Sequence, residues 1–129
     1  MKMYMKNIPV NDQAVGLAFY TEKLGFNVKH DIPLGEHRWL TVTSPEEPDG
    51  VELGLEPSVH PATIAYKEAL VADGIPISAF QVDDIEAEVR RLESLDVSFI
   101  QPPVKAGGAI MAVFDDTCGN LIQLIELVE

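Results

Sequence analysis

The sequence predicts an α+β fold: two tandem βαβββ modules forming a curved, mostly antiparallel half-barrel sheet with helices on the outside. Three observations predict it. The order strand, helix and three strands occurs twice at an offset of about 72 residues. Each helix is preceded by an aspartate able to cap it, Asp12 in the first module and Asp83 in the second. The chain closes on the turn-rich run Asp115-Asp116-Thr117-Cys118-Gly119-Asn120, followed by Leu121-Ile122-Gln123-Leu124-Ile125, an apolar strand interrupted by one amide.

Taken in order, residues 3 to 10 read as a short strand, and Pro9 places it at an edge or bulge. Asp12 then caps a helix in which Ala14, Leu17, Ala18 and Leu24 fall at helical spacing, with Phe19 and Tyr20 widening the stripe and Gly25 ending it. Strands follow at 26 to 30, 38 to 43 and 51 to 55, separated by the turn Pro33-Leu34-Gly35-Glu36 and the acidic loop from Ser44 to Gly50. Residues 60 to 73 read as a connecting helix that Gly74 closes. In the second module Ile77 to Val82 is a strand. Asp83 and Glu86 have capping-box spacing, and Ile85, Val89 and Leu92 form the inward stripe of a helix. Strands at 97 to 100, 109 to 114 and 121 to 125 complete it. The organisation expected is therefore one domain over residues 1–129, with modules at 1–56 and 77–129 and a connecting helix and loop at 57–76.

Composition narrows the partners. A formal charge of −12 with nine Lys and Arg argues against nucleic acid or an anionic membrane surface and leaves small cations welcome. One cysteine allows no intrachain disulfide, the N-terminal residues lack the apolar run of a signal peptide, and no stretch has the length of a membrane span, so the cytoplasm is the expected location.

Three segments carry a resemblance: Val10-Asn11-Asp12 with Ala18-Phe19-Tyr20-Thr21-Glu22-Lys23-Leu24-Gly25-Phe26; Gln81-Val82-Asp83-Asp84-Ile85; and Asp116-Thr117-Cys118-Gly119-Asn120-Leu121-Ile122-Gln123. Together they resemble the vicinal oxygen chelate superfamily, which includes glyoxalase I, bleomycin resistance proteins and extradiol dioxygenases. The resemblance spans essentially the whole chain. It implies the glyoxalase/bleomycin resistance/dioxygenase fold, a homodimer and, in metal-dependent members, one divalent ion held by the first and last strands of each module. Those positions here are Met5, Glu52, Ile77 and Gln123. The internal repeat points to the same four places. A carboxylate is a good ligand, an amide a weak one, a thioether is soft and an alkyl side chain does not ligate, so no cofactor is expected.

A curled sheet leaves inward side chains facing a cleft, and the pocket expected there, between the modules, is lined by Met5, Asn7, Trp39, Glu52, Ile77, Ala79, Gln81 and Gln123. Strand alternation sets Val51, Leu53 and Leu55 on one face and Glu52 and Gly54 on the other. Glu52 would then pair with Gln123, bind a cationic ligand or act as a general base. Trp39 is read equally well as core or as a ligand platform. His30, His37 and His60 are expected at the surface, Cys118 as a turn residue, and Lys105-Ala106-Gly107-Gly108 as a hairpin linkage or a flap. The leading expectation is a glyoxalase-like protein that binds or sequesters a small organic ligand without a complete metal site. The alternatives are a metal-dependent lyase, isomerase or dioxygenase, and a sensor using the same cleft.

Overall fold

The computed structural model describes residues 1–128. The chain divides into two compact units, Met1–Ile64 and Ala65 onwards. Among the described residues, hydrogen bonding gathers the strands into two four-stranded sheets, one in each unit.

The first unit runs β1 (Met5–Val10), α1 (Gln13–Ala18), β2 (Asn27–Leu34), β3 (His37–Thr43) and β4 (Glu52–Pro57), with sheet order β1-β4-β3-β2. Strand β1 is an edge, where Pro9 is tolerated, and it pairs in parallel with β4 from Met5 opposite Glu52 to Val10 opposite Pro57. Asp12 caps α1, its Oδ1 accepting from the Ala14 and Val15 amides at 2.8 and 3.1 Å. The helix then widens into a π turn over Phe19–Lys23, where the Leu24 amide reaches back to the Phe19 carbonyl, and Gly25 leaves it at φ +88°.

The face α1 turns inward differs from the stripe expected. Gln13, Gly16, Phe19 and Tyr20 are buried, whereas Ala14, Leu17 and Ala18 line an open groove of about 630 Å³ with Thr21, Glu22, Phe26, Asn27 and Val28. Gly16 decides this. A Cβ there would lie 3.2 Å from Val10 Cγ1, so any larger residue would have to push the Val10 side chain or the helix back by a few tenths of an ångström.

Gln13 completes the contact. Strands β3 and β4 pair only at Thr41–Gly54 and Val42–Leu53. Past Gly54 the amide of Gln13 takes over: Nε2 donates to the Arg38 and Leu55 carbonyls at 2.7 and 2.8 Å, and Oε1 accepts from the Arg38 amide at 3.0 Å. Gln13→Ala removes all three bonds and strands the buried Leu55 carbonyl, so an unfolding titration should show a loss of about 2 kcal/mol. A loss below about 0.5 kcal/mol would mean that water replaces the amide. On the same hairpin Arg38 binds Asp31 through Nε and Nη2 at 3.0 and 2.8 Å, a bond that holds the Asp31 carboxyl below the usual aspartate range.

The second unit carries most of α2 (Pro61–Ala72), then β5 (Ser78–Gln81), α3 (Ile85–Ser94), β6 (Phe99–Ala106), β7 (Ala109–Asp115) and β8 (Leu121–Leu127), with sheet order β5-β8-β7-β6. Ile85, Val89 and Leu92 face inward from α3, and Ala112, Phe114, Ile122 and Leu124 are buried in the sheet. The cap is Asp84 rather than Asp83: its Oδ1 accepts from the Ala87 amide at 3.1 Å, while the Ile85 amide goes to Glu126 Oε1 on β8 at 2.8 Å. Glu86 therefore closes no capping box with Asp83. Asp84 is also the residue that lies about 72 positions after Asp12.

Candidate functional site

The pleat of the first sheet sorts its side chains onto two faces. Ile8, Val10, Leu40, Val42 and Leu55 form the buried side on which α1 packs. The other side carries Met5 and Asn7 from β1, Glu52 and Gly54 from β4, Trp39, Thr41 and Thr43 from β3, and His30 and Ile32 from β2, as the registers require. The Pro9–Glu56 pair continues this face toward the strand ends.

Glu52 is its central residue. It is 5% exposed, and its Oε1 is buried without a hydrogen-bond partner. His30 Nε2 stands 3.7 Å from that oxygen, near enough for charge attraction and too far for a hydrogen bond. His30 was expected at the surface. The irregular register between Val28 and His30 sets it opposite Thr41 and so delivers it to the Glu52 face. Thr41, 1% exposed and directly opposite Gly54, also has a buried hydroxyl without a partner. Gly54 leaves room for its neighbours: a Cβ there would collide with Asn7 Oδ1 and come within 3.1 Å of Met5 Sδ.

In the second unit the parallel register sets Gln123 beside Ala79, and the antiparallel register sets it beside Val113. Ile77 precedes β5 and donates its amide to the Leu121 carbonyl, so it lies one pleat away from Gln123 rather than level with it. Gln81 follows on the same face, opposite Ile125. The turn before β8 is internally braced. Asp116, fully buried, accepts from the Cys118 and Asn120 amides at 2.7 and 3.0 Å through Oδ1 and from Asn120 Nδ2 at 2.9 Å through Oδ2. Lys67 on α2, 3% exposed, donates to the Cys118 carbonyl at 2.9 Å. Burial pushes the Lys67 ammonium below its ordinary value of 10.5, opposed by the nearby Asp116 charge and by Cys118. The sequence gives no hint of this, because a helix lysine ordinarily faces water.

His60 Nδ1 accepts from the Ala62 amide at 3.0 Å at the start of α2, and His37 stands at the head of β3.

The family-implied metal meets a poor donor set. The first unit offers a thioether at Met5 and a carboxylate at Glu52; the second offers an alkyl group at Ile77 and a neutral amide at Gln123. Among the described residues no three His, Cys, Asp or Glu side chains group so as to hold a metal ion. These residues do not fit the ion.

The family model for the Glyoxalase/Bleomycin resistance protein/Dioxygenase superfamily matches residues 3–124. The chain is 48% identical over 126 residues to YurT of Bacillus subtilis (strain 168), covering 98% of this chain and 99% of that one. Among solved structures it is similar to UcmS2, at 37% identity and a TM-score of 0.83 with 98% of each chain covered. It is also similar to TnmS3, an antibiotic binding protein from Streptomyces sp. CB03234, at 25% identity and a TM-score of 0.78 with 98% and 96% covered.

Proposed function

The chain belongs to the Glyoxalase/Bleomycin resistance protein/Dioxygenase superfamily, and from that premise we propose that it binds and sequesters a small organic cation on the Glu52-bearing face, without a metal. One observation carries the reading: the buried Oε1 of Glu52 has no hydrogen-bond partner. Burying a carboxylate costs several kcal/mol unless something compensates it, and a residue serving only the fold would be matched by fixed donors. A bound cation supplies the match.

Two further facts support it. The formal charge of −12 draws cations and repels anions. The likeness to an antibiotic binding protein supports holding a molecule over transforming it. In this reading Met5, Asn7, Trp39 and Glu52 contact the ligand from the first unit, and Ile77, Ala79, Gln81 and Gln123 form the corresponding strand faces of the second. The metal-dependent lyase, isomerase or dioxygenase alternative has no donor set here to support it. Glu52 remains the residue for any metal-free proton abstraction.

A thermal-shift screen in the presence of a chelator tests the reading. Organic cations should raise the melting temperature, by about 2.7 kcal/mol of stabilisation at a hundredfold excess over Kd, while their uncharged isosteres should not. Stabilisation confined to anions or to metal ions would refute it.

The protein is also proposed to be a homodimer. The apolar residues Ala14, Leu17, Ala18 and Phe26 around the open groove, beside the edge strand β2, give a second copy a surface to cover. Sedimentation at micromolar concentration should report the mass of two chains. A 14.1 kDa species would remove this element of the proposal.

A further inference from the structure

We propose that the cation held at Glu52 is a protonated primary or secondary amine carrying an apolar body, with its ammonium between Glu52 and Thr41 and its body directed along β3 toward Trp39. This rests on the ligand-binding reading above and narrows it to a chemical class and an orientation.

Two buried oxygens on this face lack a donor. Glu52 Oε1 and Thr41 Oγ1 are both buried without a hydrogen-bond partner. Thr41 lies opposite Gly54, two residues from Glu52 along β4, so the two side chains are diagonal neighbours on one face. An ionised carboxylate only accepts, whereas a hydroxyl accepts or donates. A cation with two N–H bonds, one for each oxygen, satisfies both atoms and offsets the charge in a single group. A bridging water would satisfy both atoms and bring no charge to offset that of the carboxylate. A quaternary ammonium would compensate the charge and satisfy neither atom. His30 at 3.7 Å does not occupy the acceptor.

The same face changes character along β3. Trp39 is two residues from Thr41, roughly 7 Å along the strand, and pairs with Ile32 on β2; Leu34 follows opposite His37. Trp39, Ile32 and Leu34 are 36%, 52% and 62% exposed. A polar, buried end thus adjoins an apolar, open end. An amine with a flexible apolar tail of several carbons matches both ends in one orientation only.

The test uses phenylbutylamine and its trimethylammonium derivative, with calorimetry for affinity and the emission of Trp39, the sole tryptophan, for position. The primary amine should bind and shift that emission, and the trimethylated compound should bind about tenfold or more weakly. Thr41→Val, isosteric and free of the unmatched hydroxyl, should weaken the primary amine about five- to tenfold and leave the trimethylated compound unchanged. Equal affinities for the two compounds, or a silent Thr41→Val, overturns the amine assignment. If Glu52→Gln still abolishes binding in that case, the cation-binding reading survives it. Amine binding that Glu52→Gln leaves intact removes the site itself, and with it both proposals. Binding without any change in Trp39 emission overturns the orientation, and no binding at millimolar concentration overturns the assignment.

Discussion

Asp116→Ala is expected to destabilise the protein by about 4 kcal/mol, the largest effect of any single substitution considered. Three donors lose their acceptor at once: the Cys118 amide, the Asn120 amide and the Asn120 side chain. The Lys67 ammonium, buried on α2, also loses the charge that opposes its desolvation. Lys67→Met should cost less, about 1 to 3 kcal/mol, because Asp116 keeps its three donors and methionine keeps the packing. The double variant should cost less than the sum of the two, since each single change strands the other's charge.

The pH dependence has a definite sign. Lys67 has a lowered pKa in the folded state, so between that lowered value and 10.5 the unfolded chain binds more protons, and this group's contribution to stability rises with pH. Its destabilising effect is complete below the lowered value and gone above 10.5. Denaturant titrations across the alkaline range should show this slope in the wild type and its absence in Lys67→Met. Matching slopes would place the ammonium in contact with water.

Glu52→Gln is expected to remove cation binding while making the empty protein more stable, opposite outcomes from one change. Truncating one side of a buried charge pair typically costs 2 to 5 kcal/mol of affinity, about thirtyfold or more. In the empty protein the same carboxylate is buried, with one oxygen that no hydrogen bond reaches and His30 Nε2 at 3.7 Å as its nearby cationic group, so a neutral amide in its place should add about 1 to 3 kcal/mol to unfolding stability. A structural glutamate would behave the other way: its removal would lower stability and leave affinity alone. Measuring both quantities on one variant therefore separates a binding residue from a fold residue.

Much of the frame was legible in the sequence because it rests on local chemistry. Asp12 caps α1, the stripe Ile85, Val89, Leu92 faces inward from α3, and Glu52 stands on the face opposite Leu53 and Leu55, as helix and strand periods require. The departures come from contacts between residues distant in sequence. The rotation of α1 depends on how closely Gly16 lets it approach Val10, and the buried partner of β3 and β4 is a glutamine, a residue type that is mostly exposed. Lys67 looks solvent-facing until Cys118 and Asp116, some fifty residues on, are brought to it. His30 reaches Glu52 through an irregularity in β2 that strict alternation does not anticipate. Thr41 belongs to the same class, since an unpartnered hydroxyl has no sequence signature.

Whether Glu52 meets an organic cation or a metal ion is decided by the metal content of untagged protein after loading with nickel, zinc, manganese or iron(II), compared between wild type and Glu52→Ala. Because Met5, Ile77 and Gln123 add no good ligand to Glu52, the expected result is far less than one ion per chain under every loading, with no difference between the two proteins. One ion per chain in the wild type, lost in Glu52→Ala, would contradict the account and assign Glu52 to a metal.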